Sequence, residues 1–192
     1  MLEEIEKYAK DNNIPIMQKD GIDYLCQFIK DNNIHNILEI GTAIGYSAIK
    51  MALVDPKIKI TTIEKDTLRY QEAQKNISKF NFQDRIDLIF GDALETTITN
   101  QYDLLFIDAS KGHNTDFFNK YQKNLLPTGY IITDNLSFHG LVEDETLIKT
   151  KNQRGIVKKI KNFITFLDTN PDYSVRYVEV GDKIAICQRK SS

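Results

Sequence analysis

The chain has 192 residues, 41% of them hydrophobic, and a formal net charge of −2 at pH 7. This length suits one domain with a full hydrophobic core, and the small net charge gives no general argument for nucleic acid or membrane binding. No apolar run approaches the roughly 18 residues of a membrane-spanning helix, and the N-terminus lacks the features of a signal peptide. Cys26 and Cys187 have no metal-ligand spacing. We therefore expect a single domain over 1–192 in a reduced, cytoplasmic protein.

Helical and strand patterns alternate along most of the chain. Apolar residues at helical spacing predict two N-terminal helices, 2–10 and 21–30. The predicted strands that follow are 36–40, 58–63, 86–90, 102–107 and 130–133, with helices at 45–54, 67–80, 114–125 and 154–167. Such alternation implies βαβ units and a mostly parallel sheet.

The C-terminus departs from this alternation. Two further strand patterns, 173–180 and 183–187, flank Gly181-Asp182, which predicts an antiparallel hairpin with a tight turn that has glycine first. The predicted fold is therefore α/β and Rossmann-like, with helices on both faces of a seven-stranded, mostly parallel sheet. Only one strand of that sheet is expected to be antiparallel.

Acidic and polar residues stand where the predicted strands end. They are Glu39, Glu64, Asp92, Asp108, Asp134 and Asn135. Ligands of open α/β sheets bind in the crevice outside the carboxyl ends of the strands. So many oxygen ligands at one edge indicate a pocket that is shared by a cation and by the hydroxyl groups of a ligand.

A glycine loop, Gly41-Thr-Ala-Ile-Gly45, connects the first predicted strand to its helix. Glycine lets the backbone approach a ligand closely, but the spacing is not the G-x-G-x-x-G of dinucleotide sites. Glu39, two residues before the loop, suits a cationic ligand. Glu64 can accept hydrogen bonds from both hydroxyls of a ribose. Each feature alone fits an ordinary strand-to-helix turn or a solvated charge; together they indicate a nucleoside ligand.

Several stretches resemble the Mg²⁺- and S-adenosylmethionine-dependent catechol-type O-methyltransferases. They are Leu38-Glu-Ile-Gly-Thr-Ala-Ile-Gly-Tyr-Ser-Ala48, Thr62-Ile-Glu64, Phe90-Gly-Asp-Ala93, Phe106-Ile-Asp-Ala-Ser-Lys111 and Ile132-Thr-Asp-Asn135. The similarity extends from 14–17 to 181–186, although Lys183 stands where the family usually has glycine. The resemblance implies a class I methyltransferase fold, with N-terminal helices (1–34) covering the cofactor site, and a homodimer.

The resemblance also implies roles for individual residues. Positions that match cofactor contacts are Met17, Gly41, Ser47, Glu64, Asp92, Ala93 and Asp108, with Glu39 beside the methionine portion. Positions that match the metal ligands are Asp108, Asp134 and Asn135. Lys111 matches the lysine proposed as general base, so Lys111 and Asp108 are the candidate catalytic residues.

The residue types agree with a magnesium site. Two carboxylates and an amide carbonyl are hard oxygen donors, and Mg²⁺ takes a few of these together with water or substrate oxygens. Asp134-Asn135 could instead be a simple turn, and Asp108 a helix cap. The expected reaction is an in-line displacement in which a deprotonated hydroxyl attacks the methyl group of a sulfonium, assisted by the cation.

The acceptor should present two adjacent oxygens, as catechols and 5-hydroxyuracil do. Between 147 and 166 there are basic residues and no acidic one, namely Lys149, Lys151, Arg154, Lys158, Lys159 and Lys161. Such a patch is of the kind that contacts phosphates, although a basic run is often only a solvated helix face. The candidate RNA-binding residues are Lys151, Arg154, Lys158 and Lys159.

A closer likeness favours tRNA as the acceptor. The stretches 14–17, 41–47 and 153–160 resemble bacterial enzymes that methylate 5-hydroxyuridine at the tRNA wobble position, giving 5-methoxyuridine. The chain has no Trp, whereas small-molecule members often carry one after the Asp-Asn pair. The tRNA anticodon loop is therefore the expected partner, and a small catechol-like or caffeoyl-like acceptor is the alternative.

Two functions from other classes are also compatible with an α/β fold. A dinucleotide-dependent oxidoreductase is disfavoured because the third glycine of the dinucleotide fingerprint is missing. A non-catalytic nucleoside-binding module is disfavoured because Asp108, Lys111, Asp134 and Asn135 are all present.

Overall fold

The structure is a computed structural model that describes residues 1–109 and 112–190; the candidate base, Lys111, lies outside the described residues. The helices are α1 (Leu2–Asp11), α2 (Lys19–Asp31), α3 (Tyr46–Ala52), α4 (Thr67–Lys79), α5 (Asn114–Tyr121) and α6 (Lys151–Asp168). The strands are β1 (Asn36–Ile40), β2 (Lys59–Glu64), β3 (Ile86–Phe90), β4 (Tyr102–Ile107), β5 (Leu125–Thr133), β6 (Tyr173–Val178) and β7 (Ile184–Arg189).

The strands form one seven-stranded sheet in the order β3-β2-β1-β4-β5-β7-β6. β1 pairs in parallel with both β2 and β4, and β7 pairs antiparallel with both β5 and β6. β7 is therefore the antiparallel strand, and the predicted fold class is confirmed. The strand order reverses between β1 and β4, which makes their carboxyl ends the expected ligand crevice.

Helices cover both faces of the sheet. On one face α1, α2 and α3 pack with Ile37 of β1, and on the other face α5 and α6 pack with the next residue, Leu38. The change of face from one residue to the next follows from the two-residue period of a strand. In the described ranges 1–109 and 112–190, none of the helices combines the length and the apolar character needed to cross a membrane.

Most helix boundaries lie within two residues of the prediction, and two differ by more. The helix predicted over 114–125 ends at Tyr121, and β5 begins at Leu125 rather than at 130. A 3-10 turn, Gln122–Asn124, follows Tyr121 directly. Pro127 opposes helical backbone beyond this turn, because proline breaks a helix and disfavours helical backbone in the residue before it. α6 starts three residues before the predicted position because Thr150 caps it: the amide of Gln153 donates to Thr150 Oγ1 over 3.1 Å, and the Gln153 side chain accepts from the amide of Thr150 over 3.0 Å.

The predicted tight hairpin turn is wrong. Val178 pairs with Ile184, so the connection between β6 and β7 comprises residues 179–183 rather than two residues. We call this segment the hairpin loop. The backbone of Gly181 (φ 56°) and Lys183 (φ 66°) is left-handed. The longer loop is held by contacts with α2 and with the segment that follows β5, which lie far from it in the chain and leave no local sequence signal.

The capping box of α6 gives a stability prediction. Replacing Thr150 by Ala should lower the free energy of unfolding by about 1 kcal/mol, because the amide of Gln153 loses its hydrogen-bond acceptor. Urea unfolding followed by circular dichroism measures the change. Thr165→Ala, inside the same helix, is the matched control and should not destabilise, because alanine has the higher helix propensity. Equal effects of both substitutions would contradict the role of the cap.

Candidate functional site

A cavity of about 590 Å³ opens at the carboxyl ends of the parallel strands. Predicted site residues line it at or just after the ends of the five parallel strands β1 to β5, together with one residue of α6. They are Gly41, Glu64, Asp92, Ala93, Asp108, Asn135 and Lys159. The other predicted residues lie elsewhere. Met17, Glu39, Ser47 and Asp134 are buried next to the lining residues but do not line the cavity. Lys151, Arg154 and Lys158 are exposed on α6.

The glycine loop packs tightly against the end of β4. A side-chain carbon at Gly41, whose φ is 99°, would lie 2.4 Å from the carbonyl oxygen of Asp108. Only glycine avoids this overlap, and glycine also adopts the left-handed backbone without strain. The loop therefore brings the ends of β1 and β4 into direct contact at the cavity.

Glu64 is fixed by backbone donors. Its Oε2 accepts a hydrogen bond from the amide of Ala43 over 2.8 Å, and its Oε1 accepts from the amides of Lys65 and Asp66 over 3.0 and 2.9 Å. The side chain is buried, yet it lines the cavity. Hydrogen bonds from amides stabilise a carboxylate and fix its rotamer. Glu64 thus presents an oriented acceptor for ligand hydroxyl groups.

The loop after β3 is held by α5. Asp92 Oδ1 accepts from the amide of Leu94 over 2.9 Å, which is the main cause that lowers the pKa of Asp92. The carbonyl oxygen of Ala93 accepts from Lys120 Nζ over 2.9 Å and from the hydroxyl of Tyr121 over 2.7 Å. Two side chains of α5 therefore set the position of Asp92 and Ala93 at the cavity.

Glu39 lies at the centre of a buried polar cluster. Its carboxylate accepts hydrogen bonds from Ser47 Oγ and Thr62 Oγ1, both over 2.5 Å, and Thr62 in turn contacts Thr42 Oγ1 over 2.6 Å. Glu39 is completely buried, and burial raises its pKa from the ordinary value of 4.5 to about 7. The group therefore changes charge near neutral pH, and a cation in the cavity would favour its ionised form.

The three predicted metal ligands meet in one cluster. The side-chain nitrogen of Asn135 lies 3.0 Å from Asp108 Oδ1 and 2.9 Å from Asp134 Oδ2. The pairing of Ile107 with Thr133 explains this, because the residues that follow these two positions are Asp108 and Asp134.

This donor set fits a hard divalent cation. The oxygen and nitrogen of an Asn amide exchange places when the amide turns about its last bond, so Asn135 can direct an oxygen to the point shared by both carboxylates. No group of three His, Cys, Asp or Glu side chains within 1–109 and 112–190 is arranged to hold a metal ion. The protein oxygens that this cluster offers to a cation are those of Asp108, Asp134 and the amide of Asn135.

Several residues that line the cavity were not predicted from the sequence. The segment between α1 and α2 contributes Pro15 and Ile16, Lys65 lies between β2 and α4, Arg69 lies in the first turn of α4, and Phe117 lies near the start of α5. The position of Lys65 directly after Glu64, and of Ile16 directly before Met17, was the available signal. The contribution of α5 could not be recognised, because it depends on how that helix docks on the sheet.

α6 has three distinct faces. Val157, Ile160, Phe163 and Leu167 are buried against the sheet. Asn152, Ile156 and Lys159 line the cavity. Lys151, Arg154 and Lys158 form an exposed third face, which we call the basic face. Lys159 is thus separated from the other candidate RNA-binding residues: its Nζ would lie 2.8 Å from a side-chain carbon placed at Gly112.

The buried state of Glu39 gives a pH prediction. Because the pKa is raised to about 7, the folded state holds the proton more tightly than the unfolded state. The free energy of unfolding should fall as pH rises from 4.5 through 7, by about 3 kcal/mol from this group. Glu39→Gln removes the titration, so the variant should gain stability relative to the wild type over that interval. Urea unfolding of both proteins from pH 5 to 8 measures the difference; a constant difference would contradict it.

Comparison with known proteins identifies the family. The family model described as O-methyltransferase matches residues 1–190. An O-methyltransferase of Aspergillus flavus is 34% identical over 148 residues, which are 71% of this chain and 59% of that protein; the chain thus spans less than two thirds of that relative. A caffeoyl-CoA O-methyltransferase of Populus kitakamiensis is 26% identical, with 96% of this chain and 82% of that protein covered.

Solved structures of O-methyltransferases have a fold similar to that of this chain. A Staphylococcus aureus protein that is provisionally named a caffeoyl-CoA O-methyltransferase has 35% sequence identity and a TM-score of 0.94, over 98% of this chain and 92% of that one. The O-methyltransferase of Bacillus cereus, solved in complex with S-adenosylhomocysteine, has 28% identity and a TM-score of 0.82, over 98% of this chain and 90% of that one. The chain belongs to the O-methyltransferase family.

Proposed function

We propose that this O-methyltransferase moves the methyl group of S-adenosylmethionine to one of two adjacent oxygens of an acceptor, with the help of a divalent cation such as Mg²⁺. The observation that carries the proposal is the bridge that Asn135 forms between Asp108 and Asp134 at the cavity. The S-adenosylhomocysteine in the Bacillus cereus structure supports the choice of cofactor.

In the cofactor half of the cavity, Lys65 pairs with Asp92 over 3.3 Å, and the carboxylate of Glu64 supplies negative charge that suits a sulfonium. Glu64 would accept hydrogen bonds from the ribose hydroxyls, since its carboxylate lines the cavity and is already oriented by amides. Asp92 and Ala93 lie on the rigid loop after β3. Glu39 lies behind the wall, where its ionised form would attract the positive charge of the methionine portion. These residues bind and orient the methyl donor.

The acceptor half contains the oxygen cluster. Asp108, Asp134 and Asn135 would hold the cation, which when bound polarises an acceptor hydroxyl and lowers its pKa. The oxygen–methyl bond forms as the sulfur–methyl bond breaks, S-adenosylhomocysteine leaves, and the hydroxyl proton passes to a base. The family resemblance proposes Lys111 for that base. Holding donor and acceptor in line contributes a large part of the rate enhancement.

A small catechol-like or caffeoyl-like acceptor is the first candidate. The relatives that carry a substrate in their names include the caffeoyl-CoA O-methyltransferase of Populus kitakamiensis and a catechol O-methyltransferase of Niastella koreensis. The apolar residues Ile16, Phe117 and Ile156 line the same cavity as Asp108 and Asn135. Such a lining suits a flat aromatic ring whose two oxygens point to the cation.

The tRNA wobble base is the second candidate, and the basic face of α6 favours it. Lys151, Arg154 and Lys158 are exposed, and Lys159 extends the positive charge to the cavity itself. A single-stranded anticodon base can be splayed into a pocket while its backbone phosphates contact lysine and arginine. A 5-hydroxyuracil would offer its 5-hydroxyl and 4-carbonyl as the two adjacent oxygens.

The family resemblance further implies a homodimer, which stays a prediction. Size-exclusion chromatography with light scattering would give the mass in solution. A mass near that of the 22.2 kDa chain would contradict a dimer.

Methyl-transfer assays test the function. Labelled S-adenosylmethionine is offered with a catechol, with caffeoyl-CoA or with tRNA that carries 5-hydroxyuridine, each with and without a chelator. We expect label in an acceptor with two adjacent oxygens, and loss of that label with the chelator or in Asn135→Ala. Transfer to tRNA alone would replace the first candidate by the second, and transfer that is insensitive to the chelator would contradict the cation.

Charge reversal on α6 separates the two acceptors. Lys158→Glu, on the basic face, should weaken tRNA binding several-fold at low salt and leave methylation of a small acceptor unchanged, because phosphate contacts are electrostatic. Lys159→Glu should alter both, since Lys159 lines the cavity. Filter binding and acceptor kinetics measure the effects, with Lys79→Glu at the end of α4 as the control. Equal tRNA affinity of Lys158→Glu and of the control would show that the basic face is exposed to solvent and does not contact tRNA.

A further inference from the structure

The segment that follows β5, residues 135–140, has an unusual backbone. Left-handed φ angles occur at Asn135 (65°), Phe138 (50°), His139 (59°) and Gly140 (83°). For residues other than glycine, this conformation costs roughly 1–2 kcal/mol each. Two such residues in succession, Phe138 and His139, persist only where the surrounding structure holds them.

The hairpin loop supplies that support through its buried Asp182. The amide of His139 donates to Asp182 Oδ1 over 2.7 Å, and the amide of Ser137 donates to the carbonyl oxygen of Asp182 over 2.9 Å. The amide of Leu136 donates to the carbonyl oxygen of Lys183 over 3.0 Å. Three backbone donors of the segment are therefore satisfied by two consecutive residues of the hairpin loop.

The hairpin loop is itself fixed from the opposite side. The amide of Gly181 donates to Asp20 Oδ2 over 3.1 Å, and a side-chain carbon at Gly181 would lie 3.2 Å from the Cα of Gly21. This hydrogen bond and this close packing attach the loop to the start of α2. Asp182 therefore lies in a loop that has contacts of its own, independent of the segment after β5.

The burial of the Asp182 carboxylate lowers the stability of the fold, which a residue with only a folding role would not explain. The residue is 5% exposed, and its Oδ2 has no hydrogen-bond partner in the part of the chain that the structure describes. Burying a carboxylate with one oxygen unsatisfied is unfavourable. This unfavourable burial is explained if Oδ1, which accepts from the amide of His139, has a role that a smaller side chain could not fill.

We propose that Asp182 is a positioning residue for the oxygen cluster of Asp108, Asp134 and Asn135. It holds residues 136–139, whose backbone is left-handed at Phe138 and His139, and this path sets the backbone of Asn135, whose side chain bridges the two carboxylates. The inference rests on the proposed function, because it assigns the positioned group to cation binding. Asp182 acts through geometry and does not touch the cation or the acceptor.

Three variants separate geometry from charge. Asp182→Ala removes the acceptor of the His139 amide. Asp182→Asn keeps an acceptor oxygen at that position and removes the charge. Glu179→Ala removes an exposed acid of the same loop, whose carboxylate pairs with Lys183 Nζ over 3.0 Å, and serves as the matched control.

Two measurements are made on each full-length protein. Binding of Mn²⁺ alone is followed by electron paramagnetic resonance of the free ion. Hydrogen exchange of the 135–140 segment is followed by mass spectrometry in metal-free protein. Asp182→Ala should bind Mn²⁺ roughly 10-fold more weakly than the wild type, the usual loss for a residue that orients a ligand, and should exchange faster in that segment. Asp182→Asn and Glu179→Ala should behave as the wild type.

The possible outcomes are distinct. Equal Mn²⁺ affinity and equal exchange in Asp182→Ala and the wild type would overturn the inference. If Asp182→Asn loses as much Mn²⁺ affinity as Asp182→Ala does, the charge of Asp182 matters rather than its hydrogen bond. That result would also overturn the inference. If the wild type binds no Mn²⁺, the cation site in the proposed function is contradicted. The hydrogen-exchange data would still test whether Asp182 holds the 135–140 segment. If circular dichroism shows that Asp182→Ala is unfolded, Asp182→Ser carries the same expectations.

Discussion

Repulsion between carboxylates is the constraint on which the site depends. A parallel sheet brings the ends of its strands to one edge, and here Glu39, Glu64, Asp92, Asp108 and Asp134 gather at that edge. Like charges in such proximity destabilise one another unless each carboxylate has its own donors. Glu64 and Asp92 use backbone amides, Glu39 uses hydroxyls, and Asp108 and Asp134 share the amide of Asn135. Lys65 also pairs with Asp92 over 3.3 Å, and the negative charge that remains on the other carboxylates favours cationic ligands.

The donors are held by elements that lie outside the site. The loop that carries Asp92 is fixed by Lys120 and Tyr121 of α5. The segment that begins with Asn135 is fixed by the hairpin loop, which packs on the start of α2. Preorganisation of this kind lowers the cost of ordering the site when ligands bind. The helices and the antiparallel strand therefore contribute to function although few of their residues face the cavity.

Local patterns predicted some features and missed others. The strands 36–40, 86–90 and 102–107 were predicted with the bounds that the structure has. Short apolar runs of this length that end at turn residues are typical of buried strands. The start of α6 was missed even though Thr150 and Gln153 form a capping-box pattern in the sequence. The hairpin turn was predicted from Gly181-Asp182 alone. Its true length reflects contacts with Asp20 and His139, which no local pattern contains.

The sequence by itself determined the alternation of strands and helices and the placement of an acid at the end of each parallel strand. These follow from short-range periodicity, and a parallel sheet then brings the strand ends together. Only the tertiary structure decided which side chains meet. The register of β4 and β5 places Asn135 between two carboxylates, and the docking of α6 directs Lys159 to the cavity and Lys158 to solvent. Such choices depend on contacts between residues far apart in the chain.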